Sequence, residues 1–487
     1  MRHSRLAGSL AAAATLSACG TPAEAPDVIT VATSAPPASL DFTTTGGAAA
    51  PQALMGNVYE TLVRIDDAGQ PQPFLATSWE ESDDGKVYTF HLRDGVTFSD
   101  GSPFTATDAA FSIAYVQHSW TNGLKAQMDP VASAEATDER TLKVVLKEAS
   151  ESWLWSMGTF TGAMMCERSI DRLATDPLGT GPYTIDRFDE GTAITFHARD
   201  DYWGQRGRDA QIRYFSDATS AVNALRAGDV DVVWAMQAPH LVRSLPDDVQ
   251  VEVGTTNGEV LLSMNNNAAP FNDADVRRAA AYAIDRNALN QVVYDGLATD
   301  TGGAPVPPTD PWFTGKDYYP FDPDKARSLL AGRTPELTIT VPNLPYAQTA
   351  AELVFSQLRD VGFNVQLETV EFPAVWLNQV LKQADYQASI VAHVEPRDVG
   401  TMFGNPDYYL GYDSARAREL IHAGDVESMR LAVDQIMGDA AALTLVNAPN
   451  IVLMREGVSG INPNVVTDSL PLNTITAPDE HAEVTRP

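Results

Sequence analysis

Residues 84–104 read DGKVYTFHLRDGVTFSDGSPF, a stretch with three Asp-Gly pairs and an alternating run between the first two. Between the Asp-Gly pairs, Tyr88, Phe90 and Leu92 alternate with polar residues, which is typical of a strand with one buried face. Each glycine tolerates the positive φ of a tight turn, so we expect the chain to reverse at 84–85, 94–95 and 100–101. The stretch therefore predicts a β-hairpin unit.

A helix is expected directly after this hairpin unit. Thr105 and Asp108 have the spacing of a capping box, and apolar side chains then recur with helical spacing. Residues 46–65 show a similar helical spacing and predict another helix, packed on the following sheet. Many folds contain a hairpin followed by a helix, so these patterns alone do not distinguish between them.

Longer strings of sequence are more specific. SWE at 78–80, YTFHLRDGV at 88–96 and DGSPFTA at 100–106 occur in this order. Together they resemble the signature of the peptide/nickel-type (family 5) extracellular solute-binding proteins of ABC transporters. GTGPY at 179–183, YWG at 202–204 and FNDADVRRAAAYAIDR at 271–286 resemble further strings of that family. The resemblance runs from about Ser34 to at least Gly296.

The resemblance implies an α/β fold with two lobes, of the periplasmic-binding-protein type (type II, or Venus-flytrap), with an extra subdomain in the N-terminal lobe. Domain I is expected to be discontinuous, made of residues 28–45, 169–256 and 456–487. Domain II is expected as an insertion at 46–168, and domain III, the C-terminal lobe, at 257–455. A chain of 487 residues is long enough for about three domains.

Residues 1–18 are expected to be a lipoprotein signal peptide. Arg2 and Arg5 precede an apolar run at 6–16 that is too short to span a bilayer. LSAC at 16–19 resembles a bacterial lipobox, which implies lipidation of Cys19 and a tether at 19–27. The alternative is an ordinary signal peptide with an incidental Cys. We expect the protein at the extracytoplasmic face of the bacterial cell membrane, held by its lipid anchor.

Composition limits the partners. The chain has 33 basic and 64 acidic residues, a net charge of −31, which argues against nucleic-acid binding because phosphates would be repelled. Only Cys19 and Cys166 are present. With Cys19 lipidated, Cys166 has no partner within the chain, so we expect it to be a buried free thiol rather than part of a disulfide.

The main candidate binding residues follow a strand predicted at 386–392, because ligands enter open α/β sheets at strand ends. They are His393, Glu395, Arg397 and Asp398. Peptide-binding members of the resembled family place a Trp and then an Asp here, and that carboxylate receives the α-ammonium of the ligand. The resemblance carries this role to Glu395, with Asp398 as the substitute. The alternative is a solvated turn in which Arg397 pairs with its neighbours.

Five further residues are weaker binding candidates. Asn266 and Asn267 precede the helix predicted by the apolar stripe from Val276 to Ile284, a place that borders the cleft in the resembled family. Ser34 begins the first loop, which lines the cleft in that family. Tyr409, with Tyr408 and Tyr412, could form an aromatic wall for a peptide or could simply pack within the domain, and Trp376 lies on a helix predicted at 372–381.

No catalytic motif is found. The chain lacks Gly-x-Ser-x-Gly, His-Glu-x-x-His and Cys-x-x-Cys, and its eight His residues show no metal-ligand spacing. We therefore expect no enzyme activity, no cofactor and no metal ligands.

The resemblance implies a monomeric receptor that closes on a short peptide and delivers it to a membrane permease with a separate ATPase. Other ligands of similar proteins stay open as alternatives, namely a nickel chelate, haem, an opine or an oligosaccharide. His393 and Met402 keep a metal or haem in consideration. An alternative of a different class is a secreted hydrolase.

Overall fold

The architecture is taken from a computed structural model, which describes residues 28–44, 48–467 and 469–478. The predicted signal peptide, Cys19 and the tether lie outside these described residues. Within them, no helix combines the length and the apolar character that crossing a bilayer requires.

The described residues form sixteen strands. They are β1 (Val28–Thr33), β2 (Val63–Ile65), β3 (Pro71–Pro73), β4 (Ala76–Glu81), β5 (Val87–Leu92), β6 (Val131–Ala136), β7 (Thr141–Leu146), β8 (Tyr183–Asp189), β9 (Ala193–Ala198), β10 (Asp209–Tyr214), β11 (Val232–Val233), β12 (Val249–Met264), β13 (Glu336–Pro342), β14 (Asn364–Val370), β15 (Ala388–His393) and β16 (Ala442–Arg455). They make a ten-stranded sheet in the order β14-β13-β15-β12-β16-β11-β1-β10-β9-β8, a four-stranded sheet in the order β4-β5-β7-β6, and the pair β2-β3.

Twelve α-helices accompany the sheets in the described part of the chain. They are α1 (Ala49–Leu54), α2 (Ala106–Ser119), α3 (Glu151–Ser156), α4 (Ala218–Ala227), α5 (Ala274–Ala283), α6 (Arg286–Tyr294), α7 (Pro323–Leu330), α8 (Pro345–Val361), α9 (Ala374–Trp376), α10 (Val399–Gly404), α11 (Ala415–Ala423) and α12 (Val426–Gly438). A π-helical turn at Leu377–Lys382 extends α9.

The hairpin predicted from residues 84–104 is confirmed. β4 and β5 pair antiparallel, and Gly85, Gly95 and Gly101 all have positive φ. Alternate residues of β5 are buried, as the alternation of its side chains indicates. α2 follows with the expected capping box between Thr105 and Asp108.

The helix predicted over residues 46–65 is wrong in extent. Only α1, at Ala49–Leu54, is helical. Met55 is extended and Gly56 has a φ of 75°, which ends the helix. Val58, Tyr59 and Leu62 are nevertheless fully buried. Their apolar spacing therefore reflects burial of a turn in the core rather than one face of a helix.

Two main hydrophobic cores lie towards opposite ends of β12 and β16, the two longest strands of the described residues. The first, the N-terminal core, contains Ile29 to Trp234 together with Val452 to Ile475, and a smaller cluster lies against it around α4. The second, the C-terminal core, contains residues from Val260 to Val446. Cys166 is a buried free thiol of the N-terminal core, as predicted.

β12 and β16 connect the two cores. Val249–Thr255 of β12 lie opposite Pro449–Arg455 of β16. Further along β12, Glu259–Met264 pair with β15 on one side, and Glu259–Ser263 pair with Ala442–Asn447 of β16 on the other. The register shifts between Thr255 and Glu259, where Pro449 has no N–H to donate. The chain thus crosses twice between the cores at one irregular place. The exact boundaries of the three domains stay a prediction.

Candidate functional site

A row of three buried polar residues crosses the sheet beside this irregular place. Glu259 of β12 lies directly opposite His393 of β15 and Asn447 of β16. Directly paired residues in antiparallel strands project from the same face. Asn447 Nδ2 donates to Glu259 Oε1 over 3.1 Å, and Glu259 is 1% exposed. The strand register therefore places a carboxylate, an imidazole and an amide side by side.

His393 is held by an aromatic and a carboxylate. Its Nε2 lies 2.7 Å from the Tyr409 hydroxyl, and the two rings are stacked with centroids 5.8 Å apart. Its Nδ1 lies 3.4 Å from Asp398 Oδ2. The Tyr409 hydroxyl is also 2.7 Å from Ser263 Oγ. These contacts fix the orientation of the imidazole.

Three buried carboxyl groups lie around this row. Burial raises the pKa of Glu259 well above its usual range, and the neighbouring Asp398 and Asp310 add to the increase. Burial also raises the pKa of Asp310 to about 7, against the opposing effect of Arg397. Burial raises the pKa of Asp398, while His393 opposes that shift. The site therefore concentrates acidic groups where water is excluded, and burial favours their protonated forms until a cation lies beside them.

Arg397 joins the C-terminal core to the N-terminal core. Its Nη2 donates over 2.6 Å to the carbonyl of Gly69, in the β2–β3 turn. Its guanidinium lies 4.5 Å from the ring centroid of Trp155 in α3 and 4.9 Å from that of Trp312. Its Nε is 3.8 Å from Asp310 Oδ1. Burial lowers the pKa of Arg397 to about 10, which leaves the guanidinium charged at neutral pH.

Several buried polar atoms here make no hydrogen bond within the described part of the chain. They include Glu259 Oε2, Asp310 Oδ2, Arg397 Nε, Trp155 Nε1 and Trp312 Nε1. Buried polar groups in proteins normally have partners. These unpaired acceptors and donors, where the C-terminal core meets the N-terminal core, make this place the candidate binding site for a polar molecule.

The structure brings some of the sequence-predicted residues together. His393, Glu395 and Asp398 each offer a donor atom within 4.8 Å of the others, with Glu395 exposed and His393 buried. This set of one imidazole and two carboxylates was not foreseen from the spacing of His residues. Imidazole and carboxylate ligands suit transition metals such as Ni²⁺, which keeps the nickel-chelate alternative open.

Trp376 lies beneath this group rather than in it. It is buried, its Nε1 donates to Ser389 Oγ over 3.0 Å, and its ring packs edge-on against Tyr409 at 6.3 Å. Trp376 therefore supports Tyr409 from within the C-terminal core.

Asn266, Asn267 and Ser34 lie elsewhere. Asn266 Nδ2 donates to the carbonyls of Met264, Leu410 and Ala441 and so holds a loop. Both asparagines follow the end of β12, about 17 Å along the strand from Glu259 at the usual rise per residue. Ser34 is exposed and follows β1. Their predicted contact with a ligand stays a prediction.

Sequence reasoning missed Glu259, Asn447, Asp310, Trp155 and Trp312 as site residues. One signal was present, because Glu259 is the single charged residue in the otherwise uncharged run 253–271. Asp310 lies in the Pro-rich loop at 304–323 and carries no comparable signal.

The chain was then compared with known proteins. Residues 70–417, more than half of the chain, match the family model described as bacterial extracellular solute-binding proteins, family 5 Middle. Heme-binding protein A of Haemophilus influenzae is 32% identical over 308 residues, which is 56% of this chain and 56% of that protein. The chain thus matches little more than half the length of this curated relative.

Solved structures share the fold over nearly the whole chain. The ABC transporter substrate-binding protein CtaP of Listeria monocytogenes has a TM-score of 0.83 at 20% identity, with 93% of this chain and 99% of that chain covered. The periplasmic binding protein DppA of Helicobacter pylori, in complex with the peptide STSA, has a TM-score of 0.75 at 23% identity, with 92% and 98% covered. The α/β, two-lobed fold predicted from the sequence is confirmed.

Proposed function

Because the chain belongs to the bacterial extracellular solute-binding proteins of family 5, we propose that it is the substrate-binding protein of an ABC importer and that it captures a short peptide. Membership of this family confirms the resemblance read from the sequence and assigns the chain to solute binding rather than to catalysis. The peptide ligand and the partners are the parts that belong to the proposal.

The carboxyl groups around His393 carry the proposal, because Glu259, Asp310 and Asp398 each have one buried oxygen that makes no hydrogen bond in the described part of the chain. A buried carboxylate is costly unless a cation joins it. Arg397 is the nearest cation to Asp310, but it contacts Gly69 and two indole rings as well. A peptide supplies an α-ammonium, and Asp398, beside His393 and Glu395, is the group that we assign to receive it. Trp155, Trp312 and Arg397 offer N–H donors to the peptide's carbonyl groups.

The double crossing of β12 and β16 supports capture by hinge closure. Few chain segments join the two cores, and the register of these strands is irregular where they cross. Movement at such a place would open the contact between Arg397 and the β2–β3 turn and admit the ligand. Closure would bury the ligand and present a single surface to the permease, which would work with a separate ATPase.

Anchoring by Cys19 is part of the same proposal. A monomer tethered at the extracytoplasmic face of the membrane stays close to its permease. We expect Cys19→Ala to release the protein to the medium, as measured by fractionation and immunoblotting. Continued membrane retention of this variant would contradict a lipid anchor.

Ligand binding can be tested by thermal unfolding and by native mass spectrometry of the purified protein. A ligand at 100 times its dissociation constant stabilises a protein by about 2.7 kcal/mol. We expect di- to pentapeptides to raise the melting temperature and N-acetylated versions to do so much less, because acetylation removes the ammonium. No stabilisation by any free peptide at millimolar concentration would overturn the peptide assignment. Cleavage of the added peptides would instead favour the hydrolase alternative.

The nickel-chelate alternative has its own observation in the donor set of His393, Glu395 and Asp398. Titration with Ni²⁺ and L-histidine distinguishes it from peptide binding. Stabilisation by the chelate that His393→Ala abolishes, without any response to peptides, would favour this alternative.

A further inference from the structure

Glu259 has a buried carboxyl group. If a peptide binds with its α-ammonium at Asp398, Glu259 has no role in that contact. It lies on β12, directly after the irregular crossing, and is 1% exposed. One of its oxygens accepts a hydrogen bond from Asn447, and the other, Oε2, makes no hydrogen bond of normal geometry in the described part of the chain, although the Thr444 hydroxyl lies near the carboxyl group. Its neighbours Val260 to Leu262 pack in the C-terminal core.

Among the described residues, the groups that shift the pKa of Glu259 most include no Lys or Arg. His393 lies beside it on β15, Asn447 and the Thr444 hydroxyl lie on β16, and Asp398 at the start of α10 and Asp310 in the loop before α7 are themselves acids. Arg397 already contacts Asp310, the Gly69 carbonyl and two indole rings. One ammonium at Asp398 would therefore leave Glu259 without a cation.

We propose that Glu259 forms a second cation subsite, which receives the ammonium or guanidinium group of a basic side chain at or next to the N-terminus of the ligand. This inference rests on the proposed function and names its substrate class as basic peptides.

The strand register sets the spacing of the two cation subsites. Directly paired residues in antiparallel strands have Cβ atoms about 5 Å apart. Glu259 is paired in this way with His393, and Asp398 lies 3.4 Å from His393. An α-ammonium at Asp398 and a side-chain cation at Glu259 are thus separated by about the reach of one Lys or Arg side chain.

Electrostatics favour the same ligand. Burial, together with Asp398 and Asp310, raises the pKa of Glu259, so an added cation is the change that favours its charged form. The net charge of −31 adds a long-range attraction for basic peptides.

The experiment compares two tripeptides by isothermal titration calorimetry, Lys-Ala-Ala and norleucine-Ala-Ala, which differ in the charge of the first side chain. The wild-type protein is expected to bind the Lys peptide at least about tenfold more tightly, since hydrogen bonds to charged groups contribute about 1.5–3 kcal/mol. Glu259→Gln is expected to remove this preference. The matched control is Glu252→Gln, at an exposed glutamate of the same strand, which should keep it.

Either of two results would overturn the inference. One is a preference for Lys that survives in Glu259→Gln, and the other is an equal loss of affinity for both peptides. Should Glu259→Gln fail to fold, carbodiimide coupling of the Lys peptide to the wild-type protein replaces it. An amide between the Lys side chain and Glu259, located by peptide mapping, would support the subsite, and coupling only at other carboxyl groups would refute it.

Failure of the proposed function gives a different pattern. If neither tripeptide binds the wild-type protein, the peptide assignment fails. Agmatine and lysine amide, which need no peptide backbone, then test the subsite alone. Stabilisation that Glu259→Gln abolishes would support the subsite, and no stabilisation of the wild-type protein would refute it.

Discussion

Arg397→Ala should open the ligand-free protein, because this arginine bridges the two cores. In the structure its guanidinium stacks on Trp155 and donates to the Gly69 carbonyl, both of which belong to the N-terminal half of the chain. Trp312 and Asp310 lie in the same half of the chain as Arg397, so their contacts survive opening. Only the first two contacts therefore favour the closed arrangement.

The expected magnitude follows from these two contacts. A cation–π contact contributes about 0.5–2 kcal/mol and a hydrogen bond from a charged donor about 1.5–3 kcal/mol. Opening returns the guanidinium to water, which reduces the net effect to about 2 kcal/mol, or roughly 30-fold in the ratio of closed to open molecules. Arg397 also has a φ of 55°, an unfavourable value for a residue other than glycine. The contacts thus hold it in a strained conformation.

Small-angle X-ray scattering and calorimetry provide the assay. We expect ligand-free Arg397→Ala to have a larger radius of gyration than the wild-type protein and to bind its ligand up to roughly 30-fold more weakly, because closure must then be driven by the ligand alone. Arg397→Lys should lie between the two, since it keeps the charge but stacks less well. Arg416→Ala, which removes an exposed arginine paired with Glu419 within α11, is the control. Scattering and affinity indistinguishable from wild type in Arg397→Ala would refute the role of the bridge.

Three further predictions concern the contact between the two cores and one buried carboxyl group of the N-terminal half. Gly69→Ala should weaken ligand binding in calorimetric titration, because a Cβ there would lie 2.8 Å from the Thr309 carbonyl oxygen. The control is Gly95→Ala, which also has positive φ but open space around it and should leave binding unchanged. The pKa of Asp310, raised to about 7 by burial, means that the folded protein holds a proton that the unfolded chain loses near pH 4. The contribution of Asp310 to the free energy of unfolding is therefore present at low pH and is lost as pH rises towards 7, by up to a few kcal/mol. Asp310→Asn should make the free energy of unfolding, measured with urea between pH 5 and pH 8, depend less on pH. An unaltered pH dependence would contradict the assignment. Glu60 accepts hydrogen bonds from the Tyr202 hydroxyl over 2.7 Å and from Trp203 Nε1 over 3.0 Å, so Glu60→Ala should lower the free energy of unfolding by about 2–4 kcal/mol by leaving two donors unpaired. Glu60→Gln, which retains an acceptor, should cost much less, and equal losses in both variants would show that the hydrogen bonds contribute little.

Short stretches of sequence were enough to predict several local elements and the family. Alternation in 88–92 and the Asp-Gly turns specify a hairpin through backbone chemistry that acts over a few residues. Thr105 and Asp108 do the same for the start of α2. The local signal was ambiguous at 46–65, where the apolar spacing predicted one helix. In the structure the helix ends before Gly56, and the apolar residues that follow are buried in the core without being helical.

Which residues make up the candidate site depends on contacts between distant segments of the folded chain. His393, Arg397 and Asp398 were predicted as candidates because ligands bind at strand ends in open α/β sheets. A strand end can be recognised from a single segment of sequence. Glu259 and Asn447 join them through the register of β12 with β15 and β16, which brings together residues separated by more than 130 positions. Pairing between distant strands depends on the packing of the whole sheet, and no local pattern encodes it. For the same reason, only the folded chain places Arg397 against Trp155 and Gly69 and so joins its two cores.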